Sequence, residues 1–594
     1  MSLQEPNQST LPFEDSRRLT GPCVFFRRCG VVLEAMQPLS NVAEANWRTR
    51  VTRMQCALNW SASKLVVRRH KQGTSLAFPA PVDVLFTATE VNEWALLASL
   101  GVAALHAPGY PASWDEASAV LTLRAMERAE RQPDLVAVLH AATERSVSTL
   151  LDDDTLTIGG GRYGRSWPRH APPALADLDW SPLRSVPTTL VTGSNGKTTT
   201  VRLIAAMLRA HGLRCGHSCT DGVMIDGQAV AAGDYSGPAG ARTVLRDARV
   251  EAAVLETARG GLLRRGLAVE HAMVAVVTNI SADHFGEYGI DDLAGLAEAK
   301  LTVARALGPE GSLVVNADDP HLVARAPTLG QALAWFAQDL ANPILQSHRA
   351  RGGATCGVSG GRLCLAISSR EYPLGEVAEL PLCADGLALY NIGNCAAAAL
   401  AAHAQGVPAE TIASVLADFG RQPSDNPGRL ERYQRGGVHL LVDYAHNPEG
   451  LDGLLQVATA LRQTGRLGLL LGQAGNRKDA DILRLADVAA SHRPELVVLK
   501  GVDGYERGRP AAEVPRMLHA ALVRHGYTDS QLPIHIRELD AVRKALQWAQ
   551  PGDVLVLAVH SLSARGKLAR LIAVLQEDAW QAGQALPARC LDGV

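Results

Sequence analysis

The stretch TGSNGKTTT, residues 192–200, has the composition of a loop that binds phosphate. Its glycines can adopt backbone conformations that direct several N–H groups at one anion. Lys197 can reach the outer phosphates of a nucleotide, and the Thr198 hydroxyl can ligate Mg²⁺. The common phosphate loop has another glycine five residues before its Gly-Lys pair, but Val191 holds that position. The stretch therefore predicts either a shortened nucleotide-binding loop or a structural turn with an incidental lysine.

Polar residues also follow the next strand-like runs. AAVLE (252–256) ends in Glu256, and MVAVVTN (273–279) is soon followed by Asp283 and His284. Ligands of open parallel sheets bind outside the carboxyl ends of the strands, so these side chains are candidates for one site. A carboxylate there suits Mg²⁺. The alternatives are a solvated glutamate and a structural histidine.

Further candidates lie in the second half of the chain. In NIGNCAAAALAA (391–402), Asn391 and Asn394 are about one helical turn apart and share a face. Their amides can bind an adenine edge, or they can cap the helix. Arg429 can bind a phosphate through its planar guanidinium. Asp443, at the end of a strand-like run, can accept hydrogen bonds from ribose hydroxyls.

The surrounding pattern supplies elements that can position these residues. The strand TTLVTG (188–193), the glycine loop and a helix over 198–212 form the sequence of elements that a phosphate loop requires. Strands continue to alternate with helices up to a turn-rich break at 421–430 and again beyond it. This alternation predicts parallel sheets with helices on both faces. Before Thr188, the stretch 155–187 is rich in Gly, Pro, Arg and Trp and predicts a linker.

We therefore predict an α/β protein with three domains. The central one, at 186–425, is a P-loop ATPase domain with a mostly parallel sheet. It is followed by a C-terminal Rossmann-like α/β domain at 426–594. An additional N-terminal α+β domain, with the linker, occupies 1–185.

Composition excludes several classes of function. The 594 residues carry a net charge of −2, which argues against wholesale binding of nucleic acid. No run approaches the roughly 20 apolar residues of a membrane helix. The N-terminus lacks the apolar core of a signal peptide, so we expect no membrane association and a cytoplasmic location. The 10 cysteines contain no CxxC pair and predict free thiols.

Taken in order, the motifs TGSNGKTTT, Glu256, NISADH, AEAK with Lys300, NIGN, GR and DYAHNP resemble those of the Mur ligase family. That family includes folylpolyglutamate synthetases, and its shortened loop, G-[ST]-x-G-K-[ST], accounts for Val191. The resemblance covers roughly residues 185–594. Segments such as VLETARGGLLRRGL (254–267) and YERGRPAAEV (505–514) are most similar to the C-terminal, Mur-ligase-like part of cyanophycin synthetases.

The resemblance implies that the N-terminal domain, at 1–185, binds the substrate or acceptor. It also implies roles for individual residues. Lys197, His284, Lys300 and His446 are expected to be catalytic, and Lys300 matches a lysine that many Mur ligases carry as a carbamate. Mg²⁺ ions are expected on Thr198, Glu256, His284 and Lys300. The expected nucleotide-binding residues are Gly193, Ser194, Asn195, Gly196, Lys197, Thr198, Thr199, Asn391, Asn394, Arg429 and Asp443.

The implied activity is an ATP- and Mg²⁺-dependent amide ligase. ATP would phosphorylate a carboxylate or peptide substrate, and an amino acid amine would attack the acyl phosphate, giving ADP and phosphate. The region before Thr188 is too short for the ATP-grasp domain of cyanophycin synthetases. We therefore expect cooperation with a separate ATP-grasp ligase or a homo-oligomer. The motif after the third strand resembles DHLG in cyanophycin synthetases but has Phe285 here, which leaves the histidine in place.

Two alternatives remain open. One is a peptidoglycan or polyglutamate ligase, and the other is a non-catalytic ATP-binding subunit of an ATP-grasp enzyme. In the N-terminal part, Asp83, Glu90 and Glu93 form either a site for a basic substrate or a solvated face. The arginines of the predicted linker either receive an acidic acceptor or belong to a plain linker. They are Arg162, Arg165 and Arg169.

Overall fold

The computed structural model describes residues 11–101, 115–282 and 285–591. The N-terminal part contains an antiparallel sheet in the order β1-β2-β4-β3, covered by helices. Its core is built around Trp47, whose indole N–H donates to the Asn92 side chain at 2.9 Å. The elements are β1 (Phe13–Leu19), β2 (Gly30–Ala35), α1 (Asn41–Ala57), β3 (Val66–His70), β4 (Gly73–Pro79), α2 (Leu85–Leu100), α3 (Glu116–Glu130) and α4 (Pro133–Glu144).

The stretch that we predicted to be a linker contains strands. A small antiparallel sheet consists of β5 (Thr149–Leu151), β6 (Thr155–Ile158) and β7 (Arg165–Pro168). Leu156 and Ile158 are buried against Leu135 and Val138 of α4. These strands form because they pack against residues outside the stretch, in spite of its turn-rich composition. The local sequence pattern does not show such packing.

The central region contains a long mixed sheet. The strand order is β11-β10-β9-β12-β8-β13-β14-β15-β16-β17-β18, parallel from β9 to β16 and antiparallel at both edges. The elements are β8 (Thr188–Thr192), α5 (Lys197–Ala210), β9 (Cys215–Cys219), β10 (Gly222–Ile225), β11 (Gln228–Ala232), α6 (Pro238–Arg246), β12 (Ala252–Glu256), α7 (Arg259–Arg265), β13 (Ala272–Val277), α8 (Leu293–Leu301), β14 (Leu307–Asn316), α9 (Pro320–Arg325), β15 (Ala332–Asp339), α10 (Pro343–Ala350), β16 (Ala354–Ser359), β17 (Arg362–Ile367), β18 (Arg370–Glu376), α11 (Leu389–Ala404) and α12 (Ala409–Asp418).

Helices cover both faces of the central sheet. One face packs against α5 and the alanine-rich α11, and the other against α6, α7 and α8. The inner parallel strands, such as β8, β12 and β13, are buried on both faces, which explains their nearly continuous apolar runs. The loops that follow β8, β12 and β13 lie at the same edge because these parallel strands are neighbours. That edge carries the candidate site.

The C-terminal region is a second α/β unit with the strand order β19-β20-β24-β21-β22-β23. Its strands are parallel except for the β19–β20 hairpin. The elements are β19 (Glu431–Arg435), β20 (Val438–Asp443), α13 (Pro448–Leu461), β21 (Leu467–Leu471), α14 (Asp479–Ser491), β22 (Leu496–Lys500), α15 (Glu513–Arg524), β23 (Ile534–His535), α16 (Glu538–Trp548), β24 (Val554–Ala558), α17 (Leu562–Glu577) and α18 (Ala588–Leu591). The predicted α/β class is thus confirmed. In the described ranges, no helix combines the length and apolar character needed to span a bilayer.

The N-terminal part docks on α7 of the central region. The Arg17 side chain donates to the Leu263 carbonyl at 3.2 Å and pairs with the buried Glu34 at 2.7 Å. The backbone N–H of Thr20 donates to the Arg265 carbonyl at 2.8 Å. The contacts of Arg17 and Thr20 thus hold α7, which starts at the edge of the sheet where the candidate site lies.

Candidate active site

The predicted phosphate loop connects β8 to the N-terminus of α5. Gly196 has a φ of 83°, in the left-handed region that favours glycine. Gly193 lies against Thr278, so a Cβ at Gly193 would be 1.8 Å from the Thr278 hydroxyl. Thr278 in turn donates to the Asn195 carbonyl at 2.6 Å. The left-handed backbone therefore explains Gly196, and the close approach of the Thr278 hydroxyl explains Gly193. The positive end of the α5 dipole faces the loop.

Two lysines donate to carbonyl groups of the loop, and both of them contact the Gly193 carbonyl. Lys197 donates to the carbonyls of Gly193 and Ser194 at 3.1 and 2.9 Å. Lys300, on α8, donates to the Gly193 carbonyl at 2.8 Å and is 4% exposed. By composition alone Lys300 would be a surface lysine. The structure instead buries it at the phosphate loop.

Thr198 and Glu256 form the candidate metal site. The Thr198 hydroxyl donates to Glu256 Oε2 at 2.8 Å, and the Glu256 side chain is 1% exposed. Thr220 donates to the other carboxylate oxygen at 3.0 Å. A hydroxyl and an oriented carboxylate are hard oxygen donors that fit Mg²⁺. In the part of the chain that the structure describes, no group of three or more His, Cys, Asp or Glu side chains forms a metal cluster, and Asp283 and His284 lie outside that part.

The predicted adenine-binding amides contact each other and the loop. Asn391 donates to the Leu382 carbonyl at 2.9 Å, and Asn394 donates to the Asn391 side chain at 3.0 Å. A Cβ at Gly196 would be 2.1 Å from Asn394 Oδ1, so these amides brace the loop directly. Tyr390, which sequence reasoning missed, lines the cleft beside them. Its position next to the NIGN motif was the available signal.

The C-terminal unit supplies the opposite wall. Arg429 donates to the Thr198 hydroxyl at 3.4 Å, and its guanidinium lies 4.4 Å from the Tyr444 ring centroid. The Asp443 carboxylate accepts backbone N–H groups of Leu430 and Ala445 at 2.6 and 2.7 Å. Burial raises the pKa of Asp443, and the nearby Arg429 opposes that rise. In this structure the Asp443 carboxylate thus holds the backbone of the turn that follows β20 and that of Leu430.

The turn between β20 and α13 contacts the phosphate loop. Asn447 donates to the Asn195 side chain at 2.8 Å, and its own carboxamide oxygen caps α13 through Gly450 N at 2.8 Å. His446 lies on the cleft wall, and its carbonyl accepts from Gln473 at 2.6 Å. Asn447 and Gln473 were missed because their significance depends on contacts between distant segments. Thr199 also faces the C-terminal unit, accepting from Asn426 at 3.2 Å.

These groups share a cleft of about 830 Å³ between the central and C-terminal units. Its lining includes basic side chains that sequence reasoning did not select, namely Arg259 and Arg264 of the central unit and Arg507 of the C-terminal unit. Predicted site residues that line the cleft are Ser194, Asn195, Gly196, Lys197, Thr198, Thr199, Glu256, Lys300, Asn391, Asn394, Arg429, Asp443 and His446.

Two of the charged residues considered in the N-terminal part, Asp83 and Arg162, pair with residues of other elements. Asp83 is buried and accepts from Arg131 and from the Gln132 N–H, both at 3.1 Å. Arg162 pairs with Glu251 of the central unit. Solvated-face and linker interpretations therefore need revision, because these groups join elements of the fold.

Comparison with known proteins shows the family of this chain. Residues 191–402 match the family model for the Mur ligase middle domain, and residues 428–559 match that for the Mur ligase glutamate ligase domain. The chain is also 31% identical over 382 residues to UDP-N-acetylmuramoyl-L-alanyl-D-glutamate–2,6-diaminopimelate ligase from Xanthomonas campestris, covering 62% of this chain and 71% of that ligase. The chain belongs to the Mur ligase family.

Other similar proteins cover about two thirds of this chain and differ in how much of their own length is matched. Cyanophycin synthetase from Trichormus variabilis is 34% identical over 420 residues, which is 70% of this chain but 46% of that protein. The chain thus spans about half the length of the cyanophycin synthetases that it matches. Among solved structures, a bifunctional folylpolyglutamate synthase/dihydrofolate synthase from Yersinia pestis has 20% identity and a TM-score of 0.47, covering 65% of this chain and 88% of that one.

Proposed function

We propose that this Mur ligase family member is an ATP-dependent, ADP-forming amide ligase. It activates a carboxylate as an acyl phosphate and joins it to an amino acid amine, in cyanophycin-like polymer synthesis or synthesis of a related amino-acid conjugate. The observation that carries the proposal is the shared cleft. There the Thr198–Glu256 pair of the central unit lies opposite Arg429 and Asp443 of the C-terminal unit.

The phosphate end of the cleft neutralises negative charge. Lys197 and Lys300 now donate to loop carbonyls, and their ammonium groups are within reach of phosphates bound at the α5 N-terminus. Thr198 and Glu256 would hold Mg²⁺, and His284 is proposed as a further ligand. When bound, Mg²⁺ screens the phosphate charge and polarises the phosphoryl group that is transferred. Carbamylation of Lys300 would make it a metal ligand in place of a cation.

The reaction needs in-line positioning in a site that is shielded from water. A substrate carboxylate oxygen attacks the terminal phosphorus of ATP, and the phosphorus–oxygen bond to ADP breaks with its electron pair on ADP. The amine nitrogen then attacks the acyl carbon, the bond to the phosphate oxygen breaks, and phosphate and a proton leave. His446, on the C-terminal wall, is the proposed acceptor of that proton.

The acceptor carboxylate is proposed to bind beside Arg259 and Arg264. Arg259 pairs with Glu287 at 2.5 Å, and Arg264 donates to the Tyr288 hydroxyl at 3.0 Å. Arg17 of the N-terminal part lies 4.4 Å from the centroid of that tyrosine ring. Through these contacts the N-terminal part is proposed to support the acceptor wall and so to contribute to acceptor binding.

The test is ADP and phosphate release over a matrix of amino acids and of acidic or arginine-containing peptides. We expect release with one acceptor–amine pair and none with Lys197→Ala. The exposed Lys567, on α17, provides the matched control, and Lys567→Ala should keep full activity. Full activity of Lys197→Ala would refute the phosphate-loop assignment.

The same matrix separates the alternatives. Release only with muropeptide or polyglutamate acceptors would assign the protein to those reactions instead. Nucleotide binding without release for any pair, including in the presence of an ATP-grasp ligase, would identify a non-catalytic subunit. Retention of Lys197, Glu256 and Lys300 in one cleft favours catalysis, because a scaffold does not need a metal-binding pair.

A further inference from the structure

The turn between β9 and β10 contacts the candidate metal carboxylate. Thr220 donates to Glu256 through its hydroxyl at 3.0 Å and through its backbone N–H at 3.3 Å. Glu256 also accepts from Thr198 at 2.8 Å. Both carboxylate oxygens are thus oriented by hydroxyl and amide donors. Such outer partners of a metal ligand set its direction, and their loss typically weakens metal affinity 10–100-fold.

The next residue in that turn, Asp221, contacts the other domain. Its carboxylate pairs with Arg202 of the phosphate-loop helix at 2.7 Å, and with Arg565 of α17 in the C-terminal unit. The side chains of Asp221 and Arg202 are 11% and 9% exposed, so water screens this pair little. Burial opposes ionisation, but Arg429, Arg565 and Arg202 together keep the pKa of Asp221 below its usual value.

The segment 426–428, which connects the two units, contacts Arg202 and Arg565. Arg202 donates to the Asn426 side chain and to the Pro427 carbonyl, both at 3.1 Å. Gly428 follows with a φ of 71°, and a Cβ there would be 2.3 Å from Arg565 Nη1. The φ favours glycine, and a Cβ at this position would displace the Arg565 side chain that pairs with Asp221.

We propose that Asp221 is a positioning residue that couples docking of the C-terminal unit to the geometry of the Glu256 carboxylate. When Arg565 pairs with Asp221, the turn is held, and the adjacent Thr220 keeps both of its donors on Glu256. When the units separate, Asp221 keeps Arg202 but loses Arg565, so the turn is held by one arginine in place of two and Glu256 loses part of its orientation. The metal site is then complete only while the domains are docked. This inference rests on the proposed nucleotide–metal site but not on ligation.

The test measures metal binding directly. Mn²⁺ is titrated into the full-length protein in the presence of a non-hydrolysable ATP analogue, and free Mn²⁺ is followed by electron paramagnetic resonance. We expect Asp221→Asn and Arg565→Met each to weaken Mn²⁺ binding about tenfold. The double variant should be no weaker than the stronger single one, because both changes break one pathway. Arg570→Met, at an exposed position on the same helix, is the matched control and should bind like the wild type.

Further variants separate coupling from simple misfolding. Arg565→Lys should restore part of the affinity, and Thr220→Val should weaken Mn²⁺ binding while scattering still reports docked domains. Unchanged Mn²⁺ affinity in folded Arg565→Met, or additive losses in the double variant, would overturn the coupling. If Asp221→Asn does not fold, Arg565→Met and Arg565→Lys decide. Absence of ligation in a protein that shows the coupled Mn²⁺ binding would refute the proposed function and leave this inference standing.

Discussion

Replacing Gly196 with alanine tests the nucleotide site at the point where its parts meet. The φ of 83° costs an L-residue roughly 1–2 kcal/mol. The new Cβ would be 2.1 Å from Asn394 Oδ1, so Asn394 must move and break its 3.0 Å bond to Asn391. A lost hydrogen bond adds about 1 kcal/mol. If binding must restore the native loop, the sum of about 2–3 kcal/mol predicts roughly 30–150-fold weaker binding of ATP.

The assay is the dissociation constant of a fluorescent ATP analogue at one Mg²⁺ concentration. Gly212→Ala is the matched control, because Gly212 follows the same helix with a φ of 91° and has nothing within 4 Å of its virtual Cβ. That variant carries the backbone strain without the clash, so it should lose stability and keep its affinity. Binding within threefold of wild type in Gly196→Ala would refute the reasoning. An equal loss in both variants would attribute the effect to the helix.

Other variants test the remaining parts. His70, Arg17 and Ser75 outweigh burial and lower the pKa of Glu34 from 4.5 to about 2. The ion pair therefore stabilises fully above pH 4.5 and is lost as pH falls toward 2. Glu34→Gln should lower the free energy of unfolding by up to about 3 kcal/mol at pH 7. The urea midpoints of the variant and the wild type should converge as the pH falls from 4.5 toward 2; a constant difference between the midpoints over that range would contradict this. Lys300→Met should abolish turnover while AMP-PNP binding persists, and mass spectrometry of bicarbonate-saturated enzyme should show the carbamate; an unmodified amine in active enzyme would exclude it. Arg264→Met should raise the acceptor KM ten- to a hundredfold with the ATP KM unchanged, and an unchanged acceptor KM would remove Arg264 from the acceptor wall.

Local pattern was sufficient for much of the central unit. The predicted strand at 252–256 and the helix after the loop coincide with β12 and α5 because apolar periodicity and glycine placement are properties of neighbouring residues. Composition failed at 155–187, where β6 and β7 form because α4 offers an apolar surface. Burial of Lys300 was invisible to composition for the same reason, since the Gly193 carbonyl that it contacts is 107 positions away.

The sequence by itself determined the family, the shortened phosphate loop and the order of strand-end residues, because parallel strands bring successive loops to one edge. Only the tertiary structure decided which residues join the units. Asp221 and Arg565 are 344 positions apart, and Arg17 reaches Leu263 across 246. Such pairs follow no local periodicity, since their distance depends on how whole domains pack. Short motifs therefore identify the residues that line the cleft, while the contacts that hold the units together cannot be found in any one motif.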